Sequence, residues 1–197
     1  MSASTRSLTL ADVALPRAGW LHHVVLVIGA SGVTALAAQA AVPLPWTPVP
    51  ITGQTFAVLL SGAVLGARRA LMAQLLYLAE GAAGLPVFAG GAAGLATLAG
   101  PTAGYLLAFP LAAALTGGLC ERGWDRRFVS MLAAMLIGSA IIFAAGLAGL
   151  SRFVPAGQLL PTGLLPFVPG DLIKSTLAAL VFPGVWRWVN RRGGIEA

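Results

Sequence analysis

Hydrophobic positions in this chain come in long blocks separated by short polar or Gly/Pro-rich breaks. Several blocks approach about 20 residues, the length that carries an α-helix across a bilayer core of roughly 30 Å. Six spans are predicted, over residues 20–42, 54–66, 70–80, 102–119, 128–150 and 172–190. The second and third are short for complete crossings. Residues 1–19 read as a polar tail, 20–190 as one six-helix transmembrane domain and 191–197 as a second tail. The first block begins like a signal peptide, with Ala38, Gln39 and Ala40 arranged as at a cleavage site. It is long for a signal core, so it is read as a retained span. The predicted fold class is an all-α membrane protein with six transmembrane helices.

Composition strengthens this reading. Hydrophobic residues make up 58% of the 197 and charged ones 9%, with a mean hydropathy of +0.88. A soluble domain could not cover its surface with so little polarity. The net charge of +6 does not point to nucleic acid, because the arginines are dispersed between apolar blocks rather than clustered on one face. Their placement instead sets an orientation. In the six-span arrangement, Arg6, Arg17, Arg68, Arg69, Arg122, Arg126, Arg127, Arg187, Arg191 and Arg192 share one side, which is ten of the twelve basic residues. Basic residues concentrate on the cytoplasmic side of a membrane, so both termini are expected there.

The opposite side is left with residues 43–51, 81–101 and 151–169, all apolar and rich in Gly, Pro or both. Water-facing loops are normally polar, so these segments are expected to fold onto or into the membrane half of the protein. At the edge of the last one stands PFVPGDLIK (166–174), with Asp171 and Lys174 at i and i+3 where the final span begins. Pro169 suits a first helical turn, and the helix dipole favours Asp171 just inside it. The pair could simply neutralise itself at the membrane boundary. Each charge placed deep in a span costs on the order of 3 kcal/mol on insertion scales, so a ligand-binding role is the stronger explanation.

Other candidates have less to distinguish them. Glu80, in YLAEG, is a solvated helix end or a binding carboxylate. Tyr105, in GPTAGY, needs a hydrogen-bond partner that is either backbone or ligand. The glycines of 80–105 allow close approach of helices or of a ligand. Trp20, Trp124, Trp186 and Trp188 fall at span ends, as an interfacial belt requires. Trp46 instead lies in the proline-stiffened loop PLPWTPVPIT, where it could cover a pocket.

Several functions are excluded. One cysteine, Cys120, rules out an intrachain disulfide and a cysteine-rich metal site. His22 and His23 are adjacent on a predicted helix and diverge, which makes a poor metal site. No phosphate-binding GxxxxGK[ST] motif occurs, and no GxSxG or HExxH. No cofactor is expected. The residues alone describe a six-span protein with an outward-facing, semi-polar pocket and no energy source of its own. A membrane enzyme using Asp171 and Lys174 as an acid–base pair is the competing reading, weakened by the lack of a second catalytic cluster.

Four motifs, WTPVPITGQTFAVLLSGAVLG, YLAEGAAGLPVFAGGAAGL, GPTAGY and PFVPGDLIK, together resemble the BioY family between about residues 46 and 185. These are biotin-specific S components of energy-coupling factor (ECF) transporters. The resemblance implies an ECF S-component-like bundle in the plasma membrane, with a biotin pocket near the outer surface and residues 43–51 as its lid. It implies that Asp171, Lys174 and Tyr105 contribute to the biotin site. Thr52, Gln54 and the glycines near Glu80 belong to the matching motifs, which with Trp46 completes the candidate set. It also implies partnership with a transmembrane coupling subunit and two ATPase subunits, with transport unaided by ATPases as the alternative. S components of this kind commonly meet the coupling subunit through small residues spaced four apart on the first helix. Ala30 and Thr34, or Ala37 and Ala41, fit that spacing loosely. Biotin offers two ureido N–H donors, a ureido carbonyl and a carboxylate, groups that an Asp and a Lys could read. Which end Lys174 meets is left open.

Overall fold

The computed structural model describes residues 8–14 and 19–193. Arg6 and Arg17 of the predicted tail, and residues 194–197, lie outside them. A short helix α1 (Leu10–Ala14) precedes α2 (Trp20–Gln39). Next come strands β1 (Ala41–Leu44) and β2 (Thr47–Thr52), then α3 (Gln54–Leu65) and α4 (Ala67–Ala82). Helix α5 (Leu95–Leu98) leads into α6 (Ala103–Cys120) and α7 (Phe128–Leu150). Helix α8 (Leu159–Gly163) precedes the last, α9 (Val168–Gly193).

The chain is mostly helical, but one expectation changes. The predicted all-α fold contains an antiparallel hairpin, in which Ala41 pairs with Thr52, Val42 with Ile51 and Leu44 with Thr47. Prolines 43, 45, 48 and 50 explain it: they lack the N–H that a helix needs and are tolerated in a two-edged ribbon. The first span accordingly stops at Gln39 rather than running to residue 42. Among the described residues, four helical stretches are long and apolar enough to cross a membrane: Trp20–Gln39, Ala103–Cys120, Phe128–Leu150 and Ala156–Arg191, which includes most of α9. Helix α3, with 12 residues, rises only about 18 Å at 1.5 Å per residue, well short of the bilayer core.

Helix α6 is the hub, packed against α3, α4 and α7, while α7 also packs against α9. Phe109, Ala112 and Ala113 of α6 are buried with Leu59, Met131, Met135 and Ile142 in the apolar core. Helices α3 and α4 meet at a one-residue corner, Gly66, whose φ of +82° suits glycine. A Cβ there would also lie 2.5 Å from the Glu121 carboxylate. That carboxylate accepts the Ala67 amide at 2.9 Å, satisfying one orphan N–H at the start of α4. Within the predicted tail, α1 packs on α3, with Ala11 buried and Asp12 in an ion pair with Arg69 at 2.7 Å.

Helix α2 is more loosely attached. Its buried positions are Ser31, Thr34 and Ala38, one stripe at helical spacing. Thr34 therefore faces inward, where it accepts from Gln74 of α4 at 3.1 Å. Ala41 belongs to β1, so the Ala37–Ala41 pair does not form a helical four-residue spacing.

Candidate functional site

The N-terminal ends of α3, α6 and α9 converge beneath the hairpin and enclose a cavity of about 330 Å³. That volume is at the small end of ligand pockets, which run from about 300 to 1,000 Å³. Phe88, Phe109, Phe143 and Phe167 provide apolar wall, and Pro48, Val49 and Pro50 of β2 form the cover. Five of the seven predicted site residues line it: Thr52, Gln54, Tyr105, Asp171 and Lys174.

Asp171 stands in the first turn of α9 and is 8% exposed. Its Oδ1 accepts from the Ser139 hydroxyl of α7 at 2.8 Å. Oδ2 has no hydrogen-bond partner among the described residues. Lys174 lies one turn on, and its Nζ donates to the Thr52 carbonyl of β2 at 2.8 Å. The two side chains make no ion pair with each other among the described residues. Each is held by a neutral group, which fixes its position and leaves hydrogen-bonding capacity towards the cavity. A carboxylate acceptor and an ammonium with two spare donors are thus presented side by side.

Gln54 is more fully engaged. Its Nε2 donates to the Tyr77 hydroxyl at 2.6 Å, Tyr77 donates to the Val87 carbonyl at 3.0 Å, and Thr52 Oγ1 donates to Gln54 Oε1 at 3.0 Å. This relay joins the hairpin, α3, α4 and the loop that carries Phe88. Tyr105 donates to the Gly163 carbonyl at 2.7 Å, so its partner is backbone and its ring faces the cavity. The ring fits because residue 146 is glycine: a Cβ there would come within 2.2 Å of it. On the cover, Thr47 Oγ1 donates to the Thr162 carbonyl at 2.8 Å and pins the hairpin to α8.

Glu80 and Trp46 are not brought into this lining. Glu80 is half-buried and accepts from Ser31 of α2 at 2.5 Å, away from the cavity. Trp46 sits at the hairpin turn, 62% exposed. Ser139, Tyr77, Thr97 and Thr102 were not singled out by sequence, although a serine midway along an apolar span was a usable signal for Ser139. The aromatic walls carried no such signal, because phenylalanine is ordinary membrane-helix composition.

A helical membrane fold that shapes a small cavity, with a buried carboxylate and an ammonium facing it, defines a membrane protein suited to hold a compact, semi-polar solute. The chain belongs to the BioY family, whose sequence model matches residues 5–191. It is 38% identical over 148 residues to the probable biotin transporter BioY of Pyrococcus horikoshii, covering 75% of this chain and 86% of that one. Over 157 residues it is 39% identical to the biotin transporter BioY of Rhizobium etli, covering 76% and 84%. Over 141 residues it is 41% identical to the biotin transporter BioY of Thermotoga maritima, covering 71% and 82%. Its fold matches the crystal structure of the S-component for biotin from an ECF-type ABC transporter, with a TM-score of 0.73 and 24% identity. That match covers 85% of this chain and 92% of the other.

Proposed function

We propose that this chain is the biotin-capture subunit of an ECF-type uptake transporter, a binding protein rather than an enzyme. The observation that carries the reading is the presentation of Asp171 and Lys174 to one enclosed cavity without a direct ion pair between them. A ureido group complements that pair. Asp171 accepts its N–H groups and Lys174 donates to its carbonyl oxygen. A ligand carboxylate in the same place would face Asp171 at close range, a like-charge contact that disfavours it. The valerate carboxylate is therefore assigned to the far end, towards Thr97 and Thr102, with the phenylalanines against the fused rings. Thr52, Gln54 and Tyr105 complete the site, and Gln54 acts mainly by holding the hairpin over it.

Equilibrium titration of labelled biotin into the purified chain tests this. We expect one saturable site, competed by free biotin and by biotin methyl ester, since blocking the carboxylate spares the ureido end. Absence of saturable binding by a folded preparation would overturn the reading.

The same proposal includes six crossings, with α3 and α4 completing the set and both termini in the cytoplasm. The arginine bias supports it. A cysteine at Arg68 should react with an impermeant reagent only from the cytoplasmic side, and one at Gln158 only from outside. Reaction of both from one face would leave α3 and α4 as a pair that does not cross. For energy we assign a transmembrane coupling subunit and two ATPase subunits, because no nucleotide motif occurs in the chain. ATP-dependent biotin uptake should require their co-expression. The face of α2 opposite its buried stripe, with Val25, Gly29, Val33 and Leu36 exposed, is where we place the coupling subunit.

A further inference from the structure

A second, larger concavity of about 790 Å³ lies at the other end of the bundle, between the start of α2 and the start of α4. Its position follows from the helical period. On α2, Trp20, Val24, Val27 and Ile28 continue the stripe of Ser31, Thr34 and Ala38, which is buried against the bundle. The inward face of α2 is covered in its second half and open in its first, where Trp20 is 77%, Val24 41% and Ile28 53% exposed. Met72 and Leu76 of α4 form the facing wall. One turn beyond, the Ser31–Glu80 hydrogen bond bridges α2 and α4 and closes the groove. From Trp20 to Ile28 it runs about 12 Å at 1.5 Å per residue.

The end of the groove beside Arg68 is polar and its charges are unevenly satisfied. Arg69 is tied to Asp12, to Thr9 and to the Leu65 carbonyl. Glu121 caps α4. Arg68 is exposed and has no ion pair or hydrogen-bond partner among the described residues. His23 lies on the same rim. The groove thus offers a spare cation and a tryptophan where α2 enters the membrane, followed by an apolar trough that runs into the bilayer. A protein helix would need both an apolar face and an acidic residue set against Arg68, whereas membrane lipid already surrounds a trough that opens to the bilayer. An amphiphile with one anionic head and apolar tails matches both zones.

We propose that this groove holds one anionic diacyl phospholipid, its phosphate on Arg68 and an acyl chain along Val24, Ile28, Met72 and Leu76. The inference does not depend on what occupies the substrate cavity, which lies at the opposite ends of α3 and α6.

The test is lipid titration of the delipidated full-length chain by native mass spectrometry, comparing phosphatidylglycerol with phosphatidylcholine of identical acyl chains. The unmodified chain should bind one phosphatidylglycerol about tenfold more tightly, because in phosphatidylcholine the choline cation sits beside the phosphate and opposes the charge-assisted contact with Arg68. Arg68→Glu should remove that preference, and Arg68→Gln should do the same without reversing the charge. Ile28→Trp, which fills the trough, should weaken both lipids alike. Unchanged biotin affinity in each variant certifies the fold, because none of these residues lines the substrate cavity. Equal affinity of the unmodified chain for the two lipids would overturn the proposal, as would a preference that survives both Arg68 substitutions. It would equally fall if no lipid bound while Arg68→Glu abolished co-purification of a coupling subunit, since the groove would then be a protein interface.

Discussion

The two ends of the bundle use charged residues in opposite ways. At the end away from the substrate cavity, Asp12 pairs with Arg69, Glu121 caps a helix, and Asp125 in the α6–α7 turn accepts from the Trp186 indole. Arg126 lies 4.4 Å from the centroid of that indole ring. Most charges there are answered within the protein. At the cavity end, Asp171 and Lys174 are close in sequence yet held by a hydroxyl and a carbonyl instead of by each other. A charge held by a neutral partner is oriented without being neutralised. What separates the ligand-reading pair from the structural charges is the side each faces: Asp171 and Lys174 line the substrate cavity, whereas Asp12, Glu121 and Asp125 tie elements of the bundle together.

The sharpest way to break that contrast is to remove the charges at each end and ask which removal affects binding. Asp171→Leu/Lys174→Leu should still insert and fold, since replacing buried charges with apolar residues is often neutral for stability. Each charge-assisted hydrogen bond to biotin is worth roughly 1.5–3 kcal/mol, at least tenfold in affinity. A binding isotherm of the double variant should show a loss of about a hundredfold or more, counting one bond from each residue. Unchanged affinity would make these charges structural and erase the distinction.

A smaller effect is expected from Tyr105→Phe. It removes the donor to the Gly163 carbonyl and leaves the ring in place. A neutral intramolecular hydrogen bond contributes about 1 kcal/mol net to stability, so the melting temperature should fall slightly and biotin affinity by no more than about fivefold. A hundredfold loss in the same isotherm would mean that the hydroxyl itself contacts the ligand.

The smallest change should come from Asp12→Asn at the other end. Biotin binding should be unaffected and the melting temperature only slightly lowered, because a partly exposed ion pair is worth about 1 kcal/mol or less. Burial tends to raise the Asp12 pKa, but the hydroxyl and amide of Thr9 and the Arg69 guanidinium outweigh it, leaving it below its ordinary 3.8. A carboxylate with a lowered folded pKa stabilises above its unfolded value and loses that contribution as pH falls through the folded one. Thermal melts of the two proteins should differ above pH 3.8 and converge at more acidic pH. A gap that persisted in acid would remove the ion pair as its source.

Much of this molecule is written locally. Apolar block length specified α6 and α7 almost to the residue, since a segment that cannot meet water must satisfy its own backbone as a helix. The start of α9 was legible for a similar reason: Pro169 and Asp171 are first-turn residues wherever they occur. The hairpin was missed, although the prolines that force it were visible, because strand pairing depends on a register that composition does not carry. Tyr105 could be singled out as a phenol needing a partner, but whether Gly163 or a ligand would supply one was undetermined.

The chain alone therefore settles that this is a helical membrane protein, where its charges concentrate, and which few polar residues are costly enough to require a purpose. Those properties follow from solvation, which acts on each segment separately. The tertiary structure decided what surrounds those residues. Lys174 and the Thr52 carbonyl are 122 positions apart, and Thr47 is 115 from Thr162. Glu80 was turned towards Ser31 and away from the cavity, while Ser139 was brought to Asp171. Such pairings depend on how several helices pack at once around α6, a property of the assembled bundle that no single segment encodes.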